Sequence, residues 1–340
     1  MRRKRFALIG AGLFGEVHAK VYGGHPEVEF AVVCDVNRER AKEVAARYGA
    51  GRFCTDWREV ALDANIDAAS VATPDFAHTE IAVGLARAGK HLLVEKPLAM
   101  TVADCEEIIA AAKEAGVKLM VDFHNRWSPP FHEAHRLVRS GQRGAPRLIY
   151  FRLSNTTFVP LKMLSWAGRS SVLWFLGSHA IDTVCWLVGE WPHRVYSVSR
   201  EGVLKEKGVD VPDFFQSVLE FPGGAVASIE NSWLLPQSAP SVVDVKCEVV
   251  GSEGTLGVDT TSHRTLEVET PERYHYGDLA GNPIHGKHRG FLTDSIAHFR
   301  DCVVNDEEPL VPGEIGLEVT RVACAIEDSA ASGQPVAITR

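Results

Sequence analysis

The sequence predicts an α/β fold, with an N-terminal doubly wound parallel sheet over residues 1–123 and, over residues 124–340, an α+β domain built on a large open, mostly antiparallel sheet. Three observations predict it. Short apolar runs alternate with helical stretches through the first 123 residues, as successive βαβ units require. Those runs are β-branched and apolar on both faces, which suits strands covered by helices on either side. Beyond residue 123 the strand-like segments follow one another with turn signals between them, the texture of antiparallel pairing.

In chain order the apolar runs are FALIG (6–10), FAVVCD (30–35), AASVAT (68–73), HLLVE (91–95) and KLMVDF (118–123), and helical stretches lie at 13–23, 38–48, 76–89 and 101–115. In the second half a helix ends at Gly141, RLIYFRLSNTTF reads as a strand, and SSVLWFLGSHAIDTVCWLVG reads as a buried helix stopped by Gly189. Strand-like segments then fall at 193–200, 214–221, 225–234, 242–250, 254–259 and 264–269, with helices on one face of their sheet. FLTDSIAHFRDCVV and GEIGLEVTRVACAIEDSAASG close the chain as helices.

Composition narrows the classes. The chain has 340 residues, 45% of them hydrophobic and 24% charged, enough for two domains with ordinary cores. A formal net charge of −8 argues against nucleic acid or an anionic membrane as the main partner. The seven cysteines are widely spaced with no CxxC pair and read as reduced, mostly buried thiols of an intracellular, cytoplasmic protein. The basic start followed by apolar residues resembles a secretory leader. Three glycines and Glu16 break that run, however, and cleavage there would discard the motif described next. No run approaches the ~18 apolar residues of a membrane span.

That motif is GAGLFG, which places Gly10, Gly12 and Gly15 as G-x-G-x-x-G between the first strand and the first helix. Gly10 allows the tight turn, Gly12 lets a pyrophosphate approach the backbone, and Gly15 lets helix and strand pack closely. The amides of Leu13 and Phe14 then point at the phosphates from the helix N-terminus. Asp35 ends the second strand, where a carboxylate accepts from the adenosine ribose hydroxyls and repels a 2′-phosphate, favouring NAD over NADP. Arg38 stands close enough to keep NADP open.

HLLVEKPLAM (91–100) ends an apolar strand abruptly in Glu95-Lys96-Pro97. Ligands of open α/β sheets bind beyond the carboxyl ends of the strands, where this tripeptide and Thr73-Pro74 both fall. Pro97 holds Lys96 extended, and a cis bond before Pro97 would fix its aim further. The ammonium would then project beside the nicotinamide. Its pKa falls by desolvation and by the ring's positive charge, which suits proton exchange with a substrate hydroxyl. Glu95 orients Lys96 or touches the cofactor. For His78, which opens the helix after Thr73-Pro74, a cofactor-side role and a local hydrogen bond are both open.

GAGLFG, Asp35, VATPDFAHTEIAVGLARAGKHLLVEKPLAM, NRWSPPF and GSHAIDTVCWLVG together resemble the Gfo/Idh/MocA oxidoreductases, glucose–fructose oxidoreductase, inositol dehydrogenase and relatives. The resemblance runs through nearly the whole chain. It implies a Rossmann domain followed by an open-sheet domain and NAD(P)-dependent oxidation or reduction of a sugar, cyclitol or derivative. It also implies homodimers or homotetramers formed through the C-terminal sheet, and it puts the catalytic lysine on Lys96. The family often carries Asp-x-x-x-His on the helix facing the nicotinamide. His179 matches the histidine, while Phe175 occupies the aspartate position, a departure from the pattern.

His179 is therefore the second candidate for exchanging the hydroxyl proton, and Asp182, three residues on, either orients it or serves as a structural acid. Asn155, by family position, and Lys162 and Trp166, in the following loop, are candidate substrate contacts. The apolar Trp174-Phe175 neighbourhood leads us to expect a drier pocket suited to a glycoside or another less polar sugar derivative. His132-x-x-His135 and His285-x-x-His288 lack carboxylates or cysteines suited to a metal and read as solvated; no metal site is expected. Two alternatives to net redox stay open. One is a redox-neutral lyase or glycosidase with tightly held NAD, and the other a non-catalytic sugar or NAD sensor.

Overall fold

A computed structural model of the chain describes residues 2–141, 143–261, 267–269, 274–276, 280, 282–285 and 287–340. The expected strand at 264–269 lies outside the described residues before Glu267, as does Gly286 in the second histidine motif. By contacts the chain forms two compact units, Met1–Trp127 with Ala280–Thr320 and Ser128–Leu279 with Arg321–Arg340.

The first unit alternates β1 (Lys4–Ile9), α1 (Leu13–Tyr22), β2 (Val28–Cys34), α2 (Arg38–Tyr48), β3 (Arg52–Cys54), α3 (Arg58–Leu62), β4 (Ala68–Val71), α4 (His78–Arg87), β5 (His91–Val94), α5 (Val102–Ala115) and β6 (Leu119–Val121). The strands form one sheet in the order β3-β2-β1-β4-β5-β6. Every pair is parallel. The order reverses beside β1, so the carboxyl ends of β1 and β4 open around the glycine turn, where doubly wound sheets bind ligands. Phe6, Ala7, Leu8, Val32, Val33, Leu92 and Leu93 are fully buried, as strands with helices on both faces require. The sequence reading lacked β3 and α3. At three and five residues they are too short for hydrophobic periodicity to mark.

The second unit begins with α6 (Pro129–Arg139) and β7 (Pro146–Asn155). A π-helical turn, Leu173–Gly177, runs straight into α7 (Ser178–Val188), which ends at Gly189 with φ +80°. There follow β8 (Arg194–Arg200), β9 (Phe214–Glu220), β10 (Val226–Ser232), β11 (Val243–Gly251), β12 (Thr255–Asp259), and two short ladders, β13 (Glu267–Glu269) with β14 (Tyr274–Tyr276) and β15 (Asn282–Ile284) with β16 (Lys287–Arg289). The large sheet has the order β12-β11-β7-β10-β9-β8-β17, β17 being Val336–Ala337. Only β7 and β10 pair in parallel within it. Helices α6 and α7 cover one face, where Phe131 stacks on Phe151 with ring centroids 5.9 Å apart.

Two helices complete the chain, α8 (Phe291–Asn305) and α9 (Gly313–Ser332). In the first unit the Val121 amide donates to the Val311 carbonyl at 2.9 Å and Thr320 Oγ1 to the Ala99 carbonyl at 2.9 Å, so the start of α9 braces the segment after β5. None of the seven cysteines forms a disulfide, and six are buried. No helix among the described residues is long and apolar enough to cross a membrane.

Candidate active site

The three glycines have three separate physical reasons. Gly10 has φ +91°, and a Cβ there would sit 2.4 Å from the Ala72 carbonyl oxygen. A Cβ on Gly15 would sit 1.9 Å from the Gly10 carbonyl oxygen. A Cβ on Gly12 would meet nothing within 4 Å, so the space in front of the turn is open. Gly12 is also the N-cap of α1 and supplies no side-chain acceptor. The first amides of the helix, Leu13 and Phe14 among them, have no intrahelical acceptor and can serve an anion. Asp35 Oδ2 accepts from the Ala11 amide at 2.7 Å and Oδ1 from the Asn37 amide at 2.8 Å. A carboxylate has further lone pairs, so it can hold the turn and still accept from a ribose. Arg38 lies with its guanidinium carbon 5.1 Å from the Phe53 ring centroid. The turn thus fits a dinucleotide.

At the end of β5 the Glu95 amide extends the ladder to the Val71 carbonyl at 2.9 Å. The Lys96–Pro97 peptide is cis. Glu95 and Lys96 are only 6% and 5% exposed. Burial pushes the Lys96 pKa below the ordinary lysine value, against the pull of Asp75, Glu95 and Asp122. His78 is buried, with Nδ1 2.8 Å from the Pro97 carbonyl oxygen and Nε2 3.0 Å from that of Thr73. It ties the turn after β4 to the turn after β5, which gives it the local hydrogen bonds. Pro74 caps the short turn Asp75–Ala77 that leads into α4. Thr73 Oγ1 is buried without a hydrogen-bond partner, a donor waiting at the strand end.

In the second unit His179 and Asp182 lie on the first turns of α7, and both are buried. Phe175 packs between two indoles, its ring centroid 6.2 Å from Trp166 and 6.1 Å from Trp233. Trp174 belongs elsewhere, donating its Nε1 to Glu327 Oε1 at 2.9 Å. Asn155 donates Nδ2 to the Val242 carbonyl at 3.2 Å, while its Oδ1 is buried without a partner. Lys162 is exposed on the π turn Val159–Met163. Gly177 is explained by the approach of β10, since a Cβ there would meet Leu173 Cδ1 at 2.6 Å and Asn231 Oδ1 at 3.0 Å. The first histidine motif is not simply solvated, because His135 stacks on Trp186 with centroids 4.1 Å apart.

Residues 4–123 match the model of the oxidoreductase family with an NAD-binding Rossmann fold, GFO_IDH_MocA, and residues 131–257 match the GFO/IDH/MocA C-terminal domain. The levoglucosan dehydrogenase of Pseudarthrobacter phenanthrenivorans is 31% identical over 265 residues, covering 68% of this chain and 67% of that one. The chain belongs to the GFO/IDH/MocA oxidoreductase family. The scyllo-inositol 2-dehydrogenase (NAD(+)) of Bacillus subtilis is 27% identical over 98% of this chain and 95% of its own. Among solved structures, GenD2 from gentamicin A biosynthesis in complex with NAD superposes with a TM-score of 0.86 at 25% identity, covering 100% of this chain and 97% of that one.

As a GFO/IDH/MocA protein the chain is an oxidoreductase with an NAD-binding fold, and its glycine turn has the room and donors that such binding needs. The first unit brings Gly10, Gly12, Gly15, Asp35, Thr73, Glu95 and Lys96 to the carboxyl ends of its strands. The sequence reading missed His18, Asp122 and Trp233. His18 follows Gly15 by three residues and so lies on the face of α1 turned to the sheet, a signal that spacing could have supplied. Asp122 lies near the end of the apolar run KLMVDF, with nothing local to show what it faces.

Proposed function

We propose that this oxidoreductase transfers hydride between the nicotinamide of NAD and a secondary alcohol or ketone of a sugar, polyol or sugar derivative. The observation that carries it is Lys96, an amine buried just past the carboxyl end of β5 with its proton affinity depressed. Relatives named for inositols, levoglucosan and 1,5-anhydro-D-fructose support the substrate class.

When bound, the nicotinamide supplies the hydride acceptor at its C4. The chain supplies position and proton exchange. Gly12, Leu13 and Phe14 hold the pyrophosphate, with Gly10 and Gly15 shaping the turn. Asp35 takes the ribose and favours NAD, while Arg38 lies at the adenine end. Thr73, Pro74 and Glu95 line the nicotinamide side, and His78 keeps their turns in place. Lys96 takes the hydroxyl proton on oxidation and returns it on reduction. His179 is a second proton-exchanging group for the substrate, oriented by Asp182. Asn155, Lys162 and Trp166 contact substrate. The apolar wall of Phe175, Trp166 and Trp233 favours a ring with few free hydroxyls, such as an anhydro sugar or glycoside. Residues 1–123 thus carry the dinucleotide and residues 124–340 the substrate.

The same reading includes a homodimer or homotetramer through the open face of the large sheet. That face exposes Leu148, Tyr150 and Tyr196 and holds a concavity of ≈ 550 Å³ whose lining includes Tyr150, Arg152, Glu230 and Lys246. Mixed charge around apolar centres suits a two-fold contact. Cysteines that form no disulfide support work in the reducing cytoplasm.

The test is a screen of sugars, sugar acids, inositols and glycosides with NAD and NADP, followed by Lys96→Ala on any hit. Stoichiometric NADH and a loss of about 10²–10⁴ in kcat for the variant support the reading. Turnover without net NADH, or full activity of the variant, would sink it.

A further inference from the structure

Behind Lys96 the first unit buries a cluster of titratable side chains, His18, Glu95, Asp122 and His124. A ring nitrogen of His18 and one carboxyl oxygen each from Glu95 and Asp122 lie within 4.8 Å of one another. Two carboxylates so close in a dry interior do not both ionise; one keeps a proton.

Hydrogen-bond directions decide which. Tyr22 Oη lies 2.6 Å from Ser70 Oγ, His18 Nδ1 lies 2.9 Å from the same oxygen, and His18 Nε2 lies 3.0 Å from Glu95 Oε1. An ionised Glu95 only accepts, so Nε2 carries the proton and donates. Nδ1 then accepts from Ser70, and Ser70 accepts from Tyr22. On the other side Asp122 Oδ1 is buried without a partner, a costly site for charge. The Ser295 hydroxyl meets the Asp122 carboxyl but also reaches the Leu292 carbonyl at 3.2 Å, so a single shared proton is a weak counterweight to that burial, and Asp122 rather than the His18-bonded Glu95 keeps the proton.

The three groups have the donor set of a small cation site. Both His18 nitrogens are already engaged, however, and the Lys96 amine adjoins Glu95 in the chain, so a proton suits the cluster better than a metal ion. The charged and titratable groups facing it are Lys96 and His124, with Asp75 on the Lys96 side and Arg300 beyond Tyr22.

We propose that His18, Glu95 and Asp122 form a buried proton-holding triad, Glu95 ionised and Asp122 a neutral acid, so that from this cluster Lys96 faces one fixed negative charge instead of two. Two charges would pin the proton on the amine. One leaves burial the stronger influence, and the amine exchanges its proton nearer neutral pH. Burial and the neighbouring Glu95 push the Asp122 carboxyl well up, in keeping with this assignment. Asp122 is a positioning residue that acts through Lys96, and its role in turnover rests on the reading of Lys96 given above.

Infrared spectroscopy of the full chain, labelled with carbon-13 in its aspartate carboxyls, tests the protonation state without turnover. A label-shifted carbonyl band of a protonated acid is expected at neutral pH, absent from Asp122→Asn. Its absence from the unsubstituted protein overturns the proposal. In the pH profile of kcat/KM for alcohol oxidation, Glu95→Gln with Asp122→Asn removes all negative charge from the triad and moves the acidic limb down by about one pH unit or more. Asp122→Asn alone alters the rate through its changed hydrogen bonds but leaves the limb in place; a limb moved down by that single change overturns the proposal. Should Lys96→Ala keep full activity, the reading of Lys96 fails, and the infrared band still decides the state of Asp122.

Discussion

His18 Nε2 lies 3.0 Å from Glu95 Oε1, and the two side chains are 0% and 8% exposed. The contact ties the helix that follows the glycine turn to the strand end that carries Lys96. Burial alone would raise the Glu95 carboxyl, but the His18 hydrogen bond, with Lys96 close by, keeps it below its ordinary pKa. His18→Leu leaves that carboxylate buried and unpaired. It is expected to cost about 3–5 kcal/mol, read from urea unfolding, and an unchanged midpoint would show that Glu95 has another partner.

His124 gives the protein a pH dependence with a definite sign. Burial lowers its pKa from 6.5 to about 4. The unfolded chain therefore binds a proton that the folded chain refuses across this window, and stability rises with pH between roughly 4 and 6.5. The shift corresponds to about 3 kcal/mol, lost as pH falls. His124→Asn should flatten that part of the curve of unfolding free energy against pH.

The glycines of the turn separate packing from binding. Gly15→Ala drives a Cβ into the Gly10 carbonyl and should lower stability by about 1–3 kcal/mol or more. Gly12→Ala meets nothing in the protein, so its melting temperature should hold. Its methyl would enter the space assigned to the pyrophosphate, and KM for NAD should rise about tenfold or more, about 1.4 kcal/mol per decade. Calorimetry and NAD titration of both variants make the comparison.

Asp35 holds two backbone amides as well as the expected ribose. Asp35→Ala should therefore weaken NAD binding about tenfold while also costing about 1–3 kcal/mol of stability, from the amides left unpaired. The ratio of kcat/KM for NADP over NAD should rise, since the charge that repels a 2′-phosphate is gone.

Phe175 fills the gap between Trp166 and Trp233, so Phe175→Ala should cost about 3–5 kcal/mol of unfolding free energy. Phe175→Asp should cost more, because the carboxylate would be buried against two indoles. Trp233 Nε1 is buried without a partner. Trp233→Phe removes that donor together with one ring of a fully buried indole, so about 1–3 kcal/mol of stability should go with it. A rise in substrate KM of up to about tenfold in the folded variant would mark Trp233 as a substrate contact.

The sequence by itself determined the class of each half, the strand ends, the glycine turn with Asp35, and the place of Lys96 just past the carboxyl end of β5. Those features are written in short-range patterns: two-sided apolar strands, Gly spacing, and Gly or Pro at element ends. It also marked Phe175 as a departure from its family pattern. Only the tertiary structure decided what surrounds these groups. The parallel register of β1, β4, β5 and β6 gathers His18, Ser70, Glu95 and Asp122, separated by up to 104 positions in the chain, into one buried cluster. It likewise set Trp233 of the second unit against Phe175 and turned His78 into a brace between two carbonyls. Periodicity along a strand says which side chains share a face. Which distant side chains meet there depends on strand order and register, and these are settled by the packing of the whole unit.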